Sequence, residues 1–266
     1  FVNYTGHGEY YGWIDPAFRL GNIDTLGNIH KYSLFVGNGC STNQYNMSSR
    51  DCFAEAILKV KNRGAIGYIG CTNDSYWDED YYWAVGVGTI TSNPLYEESS
   101  AGYYDKVFHT GNEPVADWAP SLGEMIFAGN MTVQQSTSTR KKYYWEIYQL
   151  MGDPSLVPWF SVPVNEDVSF PPYIPVGTTH ISIEASPFDY VALSVDGELL
   201  IAGHADAYGI ASLELPADES EDDLELVVTG DHRIPFYDTI IRQVARRGFL
   251  ELIQGDIADE SVSNDG

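Results

Sequence analysis

The sequence predicts an α/β domain with a parallel sheet, followed by a small all-β sandwich. Short, near-continuous apolar runs alternate with helix-compatible stretches through the first 160 residues, the pattern of strands covered on both faces. After a proline-rich passage the pattern changes to period-two alternation broken by turn pairs, which is the pattern of antiparallel strands. A chain of 266 residues with 44% hydrophobic content supports two cores.

In chain order, FVNYTG (1–6), YSLFVGNG (32–39) and AIGYIGCT (65–72) are the strand candidates. Between the last two, Phe53, Ala56, Ile57 and Val60 fall at helical spacing, with Gly64 as the stop signal. Strand, helix, strand implies a right-handed parallel crossover. Further helices are expected over 81–88, 101–109, 120–134 and 143–151. This first domain is assigned to residues 1–160. A β-sandwich is assigned to 161–248, with strands in THISIEAS, DYVALSVDGELLIAG, GIASLELP and DLELVVTG and a tight turn at Asp196-Gly197. Its strand spacing suggests an immunoglobulin-like module without an inter-sheet cysteine pair. Residues 249–266 read as an acidic linker or the start of a further domain.

Fourteen Lys and Arg against 38 Asp and Glu give a formal charge of -24, which repels a nucleic-acid backbone. Such acidity suits an extracellular or salty setting. The three cysteines cannot all pair and show no zinc spacing. No apolar run reaches the roughly 20 residues of a membrane span. A start at Phe1, straight into a strand, suggests a piece of a longer protein.

Two candidate reactive groups sit at predicted strand ends: His7 within Gly6-His7-Gly8, and Cys40 within Asn38-Gly39-Cys40-Ser41. Neighbouring parallel strands open a ligand crevice at their carboxyl ends, so the two groups are expected to face one site. A cysteine nucleophile needs a base to take its proton, and backbone N–H groups beside glycines can hold an oxyanion. Taken singly, Cys40 reads equally as a small buried hydrophobe and His7 as a loop histidine. Their joint placement favours catalysis.

The stretches NYTGHG, GNGCST, CFAEAI, GAIGYIGCTNDSYWDEDYYWAVG and YYWEIYQLMGDPSL, in that order, resemble the gingipain-type cysteine peptidases, a branch of the caspase-like peptidases. The SYW-x-EDYYW stretch places the chain nearer the lysine-specific branch. The resemblance implies a caspase-like, mostly parallel sheet with flanking helices, lacking its first strands here, and an immunoglobulin-like companion. It implies Cys40 as nucleophile and His7 as general base and acid. Gly39 and Cys40, or Gly8, would supply the oxyanion hole, and the third catalytic residue would lie upstream. Asp80 would lie in the P1 pocket, with Tyr76 and Trp77 as walls and Thr5 and Asn38 as lining. A carboxylate in an aromatic slot suits a long cationic side chain. Asp78, Glu79 and Asp80 also fit an exposed helix N-terminus.

The expected protein is thus a secreted or cell-surface endopeptidase acting on proteins or peptides after a basic residue, Lys before Arg. Further domains are expected on both sides. Catalysis needs no cofactor. The resemblance allows a structural calcium, with Glu55 and backbone oxygens near Tyr45 as candidate ligands, although Glu55 reads equally as a helix-surface carboxylate. The competing reading is a catalytically idle domain of this type inside a surface protein devoted to adhesion or binding. Tyr81, Tyr82, Trp83, Tyr143, Tyr144 and Trp145 are expected to be helix packing, and the remaining histidines surface or turn residues.

Overall fold

Alternation of side chains across a strand buries both faces of the apolar runs around residues 34–36 and 68–69, and the computed structural model shows what covers them. It describes residues 1–46, 49–95, 99, 102–108, 118–217 and 220–244. The chain divides into two compact units, 1–162 and 163–266.

In the first unit β1 (Val2–Thr5) is followed by a three-stranded ribbon, β2 (Gly8–Glu9), β3 (Gly12–Trp13) and β4 (Phe18–Arg19). Then come α1 (Leu20–Ile23), β5 (Ser33–Asn38), α2 (Phe53–Lys59), β6 (Ala65–Cys71), α3 (Trp77–Ala84), α4 (Tyr103–Phe108), α5 (Leu122–Gln135), α6 (Lys141–Ile147) and β7 (Tyr148–Gly152). The main sheet has the order β1-β5-β6-β7. The first three strands are parallel, and β7 joins β6 antiparallel.

Leu34, Val36, Ile69 and Cys71 enter one core with Trp83, Tyr103, Leu122, Met125 and Tyr148. Phe35 and Tyr68, on the opposite face, enter another with Tyr4, Trp13, Phe53 and Ile57. That two-sided burial is why these strands are apolar at nearly every position.

Some elements depart from the sequence expectation. The helix expected over 143–151 is α6 as far as Ile147 and then β7. An aromatic-rich run such as YYWEIYQLMG satisfies either period, and pairing with β6 decides the outcome. The helix expected from 81 starts at Trp77. α2 closes at Lys59 because Val60 is already extended, ahead of Gly64. The ends of the helix expected over 101–109, including His109, and the tail from 245 lie outside the described residues. Asn130, in a glycosylation-like Asn-Met-Thr, is buried and accepts a hydrogen bond from the Trp83 indole at 3.1 Å.

The described elements of the second unit are all strands: β8 (Val164–Asn165), β9 (Tyr173–Pro175), β10 (His180–Glu184), β11 (Tyr190–Val195), β12 (Glu198–His204), β13 (Ile210–Glu214), β14 (Leu224–Thr229), β15 (Arg233–Ile234) and β16 (Phe236–Gln243). A five-stranded sheet of order β12-β11-β14-β16-β9 shares one core with the β10-β13 pair. The β11–β12 hairpin turns at Asp196 and Gly197, both at positive φ, as a type I′ turn requires. Among the described residues no helix is long and apolar enough to cross a membrane.

Candidate active site

Thr5 lies opposite Asn38 in the parallel β1–β5 pair, so the residues just beyond these strand ends emerge side by side. Contact that close needs bare backbone. A Cβ on Gly39 would fall 2.4 Å from the Gly6 carbonyl oxygen, and one on Gly8 would fall 2.7 Å from the Cys40 carbonyl oxygen. Both distances are impossible for real atoms. Gly8 and Gly39, one beside each reactive residue, therefore let the two strand ends meet.

His7 and Cys40 line one cavity of about 90 Å³ together with Gly6, Ser75, Trp77 and Asp80. His7 is exposed and meets the Trp77 ring edge-on, at 5.7 Å between centroids. The Sγ of Cys40 accepts the Ser75 N–H at 3.4 Å. The other cysteines have different surroundings. Burial pushes the Cys52 thiol up to about 11 and the Cys71 thiol well above its ordinary value, so both stay protonated and unreactive. A larger cavity of about 280 Å³, lined by Tyr45, Asn46, Thr72, Asn73, Tyr143, Glu146 and Ile147, contains neither His7 nor Cys40.

The backbone donors differ from one another. The Gly39 N–H is already engaged by the Gly37 carbonyl at 3.0 Å. The Cys40 N–H makes no hydrogen bond to a described residue. Ile14 donates to the His7 carbonyl, so the alternation of an antiparallel pair makes Gly8 opposite Trp13 a non-hydrogen-bonded position. The Gly8 N–H thus turns away from β3, and its nitrogen lies 3.4 Å from where a Gly39 Cβ would stand.

Asp80 forms the polar end of the cavity and is only 5% exposed. Its Oδ2 accepts the Ser75 hydroxyl at 2.7 Å, and its Oδ1 accepts Tyr144 and Tyr148 hydroxyls at 2.8 Å each. Burial raises the Asp80 carboxyl to about 6, against the opposing pull of those three hydroxyls. Burial and the Asp80 charge raise both tyrosines, which keeps them as donors. Asn38 is buried behind the site. Its amide donates to the Asp80 carbonyl at 3.2 Å, and its Oδ1 lies against the Tyr148 hydroxyl oxygen, whose single proton serves either this oxygen or Asp80.

The acidic triplet in the first turn of α3 divides into different environments. Asp78 is exposed, whereas Glu79 and Asp80 are buried. Glu79 is held by Ser138 and by Arg140 at 3.2 Å. Tyr76 and Trp77 are exposed, and Trp77 lines the cavity. Tyr76 is tied by backbone to the Tyr144 hydroxyl. Thr5 is exposed and does not line the cavity; its hydroxyl lies beside Tyr104.

Glu55 is used locally. One carboxylate oxygen caps α2 at the Cys52 N–H, 2.9 Å away, and the other faces Lys59 at 3.4 Å. No group of three His, Cys, Asp or Glu suited to a metal occurs among the described residues. Ser75, Tyr144 and Tyr148 went unnoticed in the sequence as site residues. Tyr144 reads from sequence as helix packing and Tyr148 carries no assignment, and their hydroxyls converge on Asp80 only through the α6–β7 junction.

A family model described as Peptidase family C25 matches residues 1–159. Lys-gingipain HG66 of Porphyromonas gingivalis is 34% identical over 92% of the chain, which covers 14% of that relative. Gingipain R1 of the same organism is 22% identical over 93% of the chain and 23% of its own length. A solved protease structure superposes with a TM-score of 0.79 at 34% identity, covering 90% of this chain and 53% of that one. The crystal structure of the Arg-specific cysteine proteinase gingipain R superposes at 0.77, with 20% identity and 91% and 53% coverage. The chain thus spans a minor part of the curated relatives and about half of the solved chains.

Proposed function

This chain belongs to peptidase family C25, and from that premise we propose that it carries the Cys-His centre and P1 pocket of a cysteine endopeptidase cleaving after a basic residue, Lys before Arg. The observation that carries the reading is the shared cavity. His7 and Cys40 enter it from adjacent strand ends, and a buried carboxylate closes it beside an exposed indole.

In this reading His7 takes the Cys40 proton as Sγ attacks the scissile carbonyl carbon. The carbonyl π electrons move onto oxygen, which the Cys40 and Gly8 N–H groups receive. When the tetrahedral centre collapses, the C–N bond breaks and His7 delivers its proton to the departing amine. The thioester that remains is attacked by water, whose proton passes to His7, and Cys40 leaves with that proton restored. Upstream of the bond, the aliphatic stem of a P1 lysine lies along Trp77 and Tyr76 while its ammonium approaches Asp80. The ammonium favours the ionised carboxylate that burial alone disfavours.

The second unit is read as an immunoglobulin-like module. Its β12-β11-β14-β16 sheet facing the β10-β13 pair corresponds in order to the C′-C-F-G strands facing B and E of that architecture. Secretion or display at the cell surface belongs to the same proposal, supported by the charge of -24, as do protein or peptide substrates and further domains of the same chain.

The test compares matched fluorogenic peptides ending in Lys, Arg or Asp on the protein at its full natural length, with and without Cys40→Ala. Lys-selective turnover lost in the variant is the expected result. Turnover on Arg or Asp alone discards the pocket assignment, and no turnover discards the peptidase.

A further inference from the structure

Ser75 stands between the two functions of the cavity. Its N–H donates to Cys40 Sγ at 3.4 Å, its hydroxyl oxygen lies 4.0 Å from the same sulfur, and that hydroxyl donates to Asp80 Oδ2 at 2.7 Å. A hydroxyl has one proton to give, so it serves the pocket carboxylate or the sulfur, not both. The other Asp80 donors, Tyr144 and Tyr148, are buried behind the carboxylate. Of the three, only Ser75 also lines the cavity.

We propose that Ser75 is a positioning residue that couples occupancy of the P1 pocket to the reactivity of Cys40. With the pocket empty, the Ser75 hydroxyl is held by Asp80. An alkylammonium entering the pocket brings its own donors to Oδ2 and releases that hydroxyl. It then rotates toward Sγ and joins the Ser75 N–H as a second donor to the developing thiolate. A cationic side chain thereby promotes the nucleophile as well as being bound, and binding is converted into rate at the reacting atom. The proposal rests on the peptidase reading above and adds a role for a residue outside the Cys-His pair.

The experiment measures alkylation of Cys40 by iodoacetamide across pH, with and without n-butylammonium, which fills the pocket but has no scissile bond. The full-length protein is compared with Ser75→Ala and Ser75→Thr, and thermal melts establish that each variant is folded. In the wild type, butylammonium is expected to accelerate alkylation roughly threefold to tenfold, the net scale of one ordinary hydrogen bond, and to move the pH profile to lower pH. Ser75→Ala should lose that response while Ser75→Thr keeps it. With lysine peptides, Ser75→Ala should lower kcat more than it raises KM. Equal responses in wild type and Ser75→Ala, or no acceleration in the wild type, overturn the coupling. If Cys40 alkylates and lysine peptides are cleaved while the response is absent, only this inference fails. If no peptide is cleaved at all, the peptidase reading fails with it.

Discussion

Arg140 lies face-on over the ring of Tyr76, with its guanidinium carbon 3.9 Å from the ring centroid. The same guanidinium reaches the buried Glu79 carboxylate at 3.2 Å. Tyr76, a wall of the P1 pocket in the proposed reading, is thus an exposed ring held by a cation whose other partner is buried.

Arg140→Ala is therefore expected to raise KM for lysine peptides about threefold to tenfold with little change in kcat. It should also lower stability, because the buried Glu79 loses its counter-ion. Arg140→Lys should recover the stability better than the KM, since an ammonium does not stack as a planar guanidinium does. Urea unfolding and steady-state kinetics on the pair decide the matter.

Asp80 is expected to be destabilising when ionised and unoccupied. Its folded carboxyl is raised from 3.8 to about 6, so the folded state binds the proton more tightly than the unfolded one. Its stabilising contribution is present at low pH and is lost as pH rises from about 4 through 6, a swing of up to about 3 kcal/mol. Asp80→Asn should lose about 100-fold or more of lysine turnover and still melt no lower than wild type at pH 8. For the wild type, KM on lysine peptides should rise as pH falls below about 6. Melts at low and high pH with the matching kinetics test both signs.

Gly39→Ala should act on chemistry before stability. The added methyl would meet the Gly6 carbonyl oxygen at 2.4 Å, and the strand ends bearing His7 and Cys40 must part to accept it. A displacement near 1 Å at reacting groups costs about 100-fold in rate. A variant that folds, alkylates at Cys40 and turns over at the wild-type rate would contradict the close-packed geometry.

In the second unit Asp189, 3% exposed, lies beside the buried Glu166 carboxyl, with Arg233 Nε 3.8 Å from its Oδ1 and 3.0 Å from Glu166 Oε2. Burial and the neighbouring carboxyl raise the Asp189 pKa above the usual carboxylate range. One guanidinium does not balance two carboxylates, so stability should fall as pH rises from about 4 toward neutrality. Asp189→Asn should flatten that dependence and leave the unit more stable above pH 7 than the wild type, as read by pH-resolved melts.

Strands β5 and β6 are legible because burial on both faces writes apolar residues at nearly every position, as in Leu34 to Val36 and Tyr68 to Ile69, whereas β1 buries only the Tyr4 face. Strand β7 is not legible, since Tyr148 to Gly152 inherits its form from β6 and not from its own pattern. Strand β16 was missed because its inward residues include Arg242, which is buried and donates to the Ser220 carbonyl at 3.2 Å, where a hydrophobe would have marked the alternation. The short ribbon β2 to β4 has too few residues per strand to show a period. At the site, glycine flanks drew attention to His7 and Cys40. Ser75 carried no comparable mark, because a serine before a helix reads as ordinary turn chemistry.

The residues assigned to bond breaking stand at the ends of β1 and β5, whereas Ser75, Trp77 and Asp80, which in the proposed reading face the side chain before the bond, come from the stretch between β6 and the first turn of α3. In that reading, substrate preference and reactivity are written on separate lengths of backbone. Selection for a new preference has a short segment to rewrite, and Ser75 is the position at which such a graft would still be answerable to the nucleophile it left untouched.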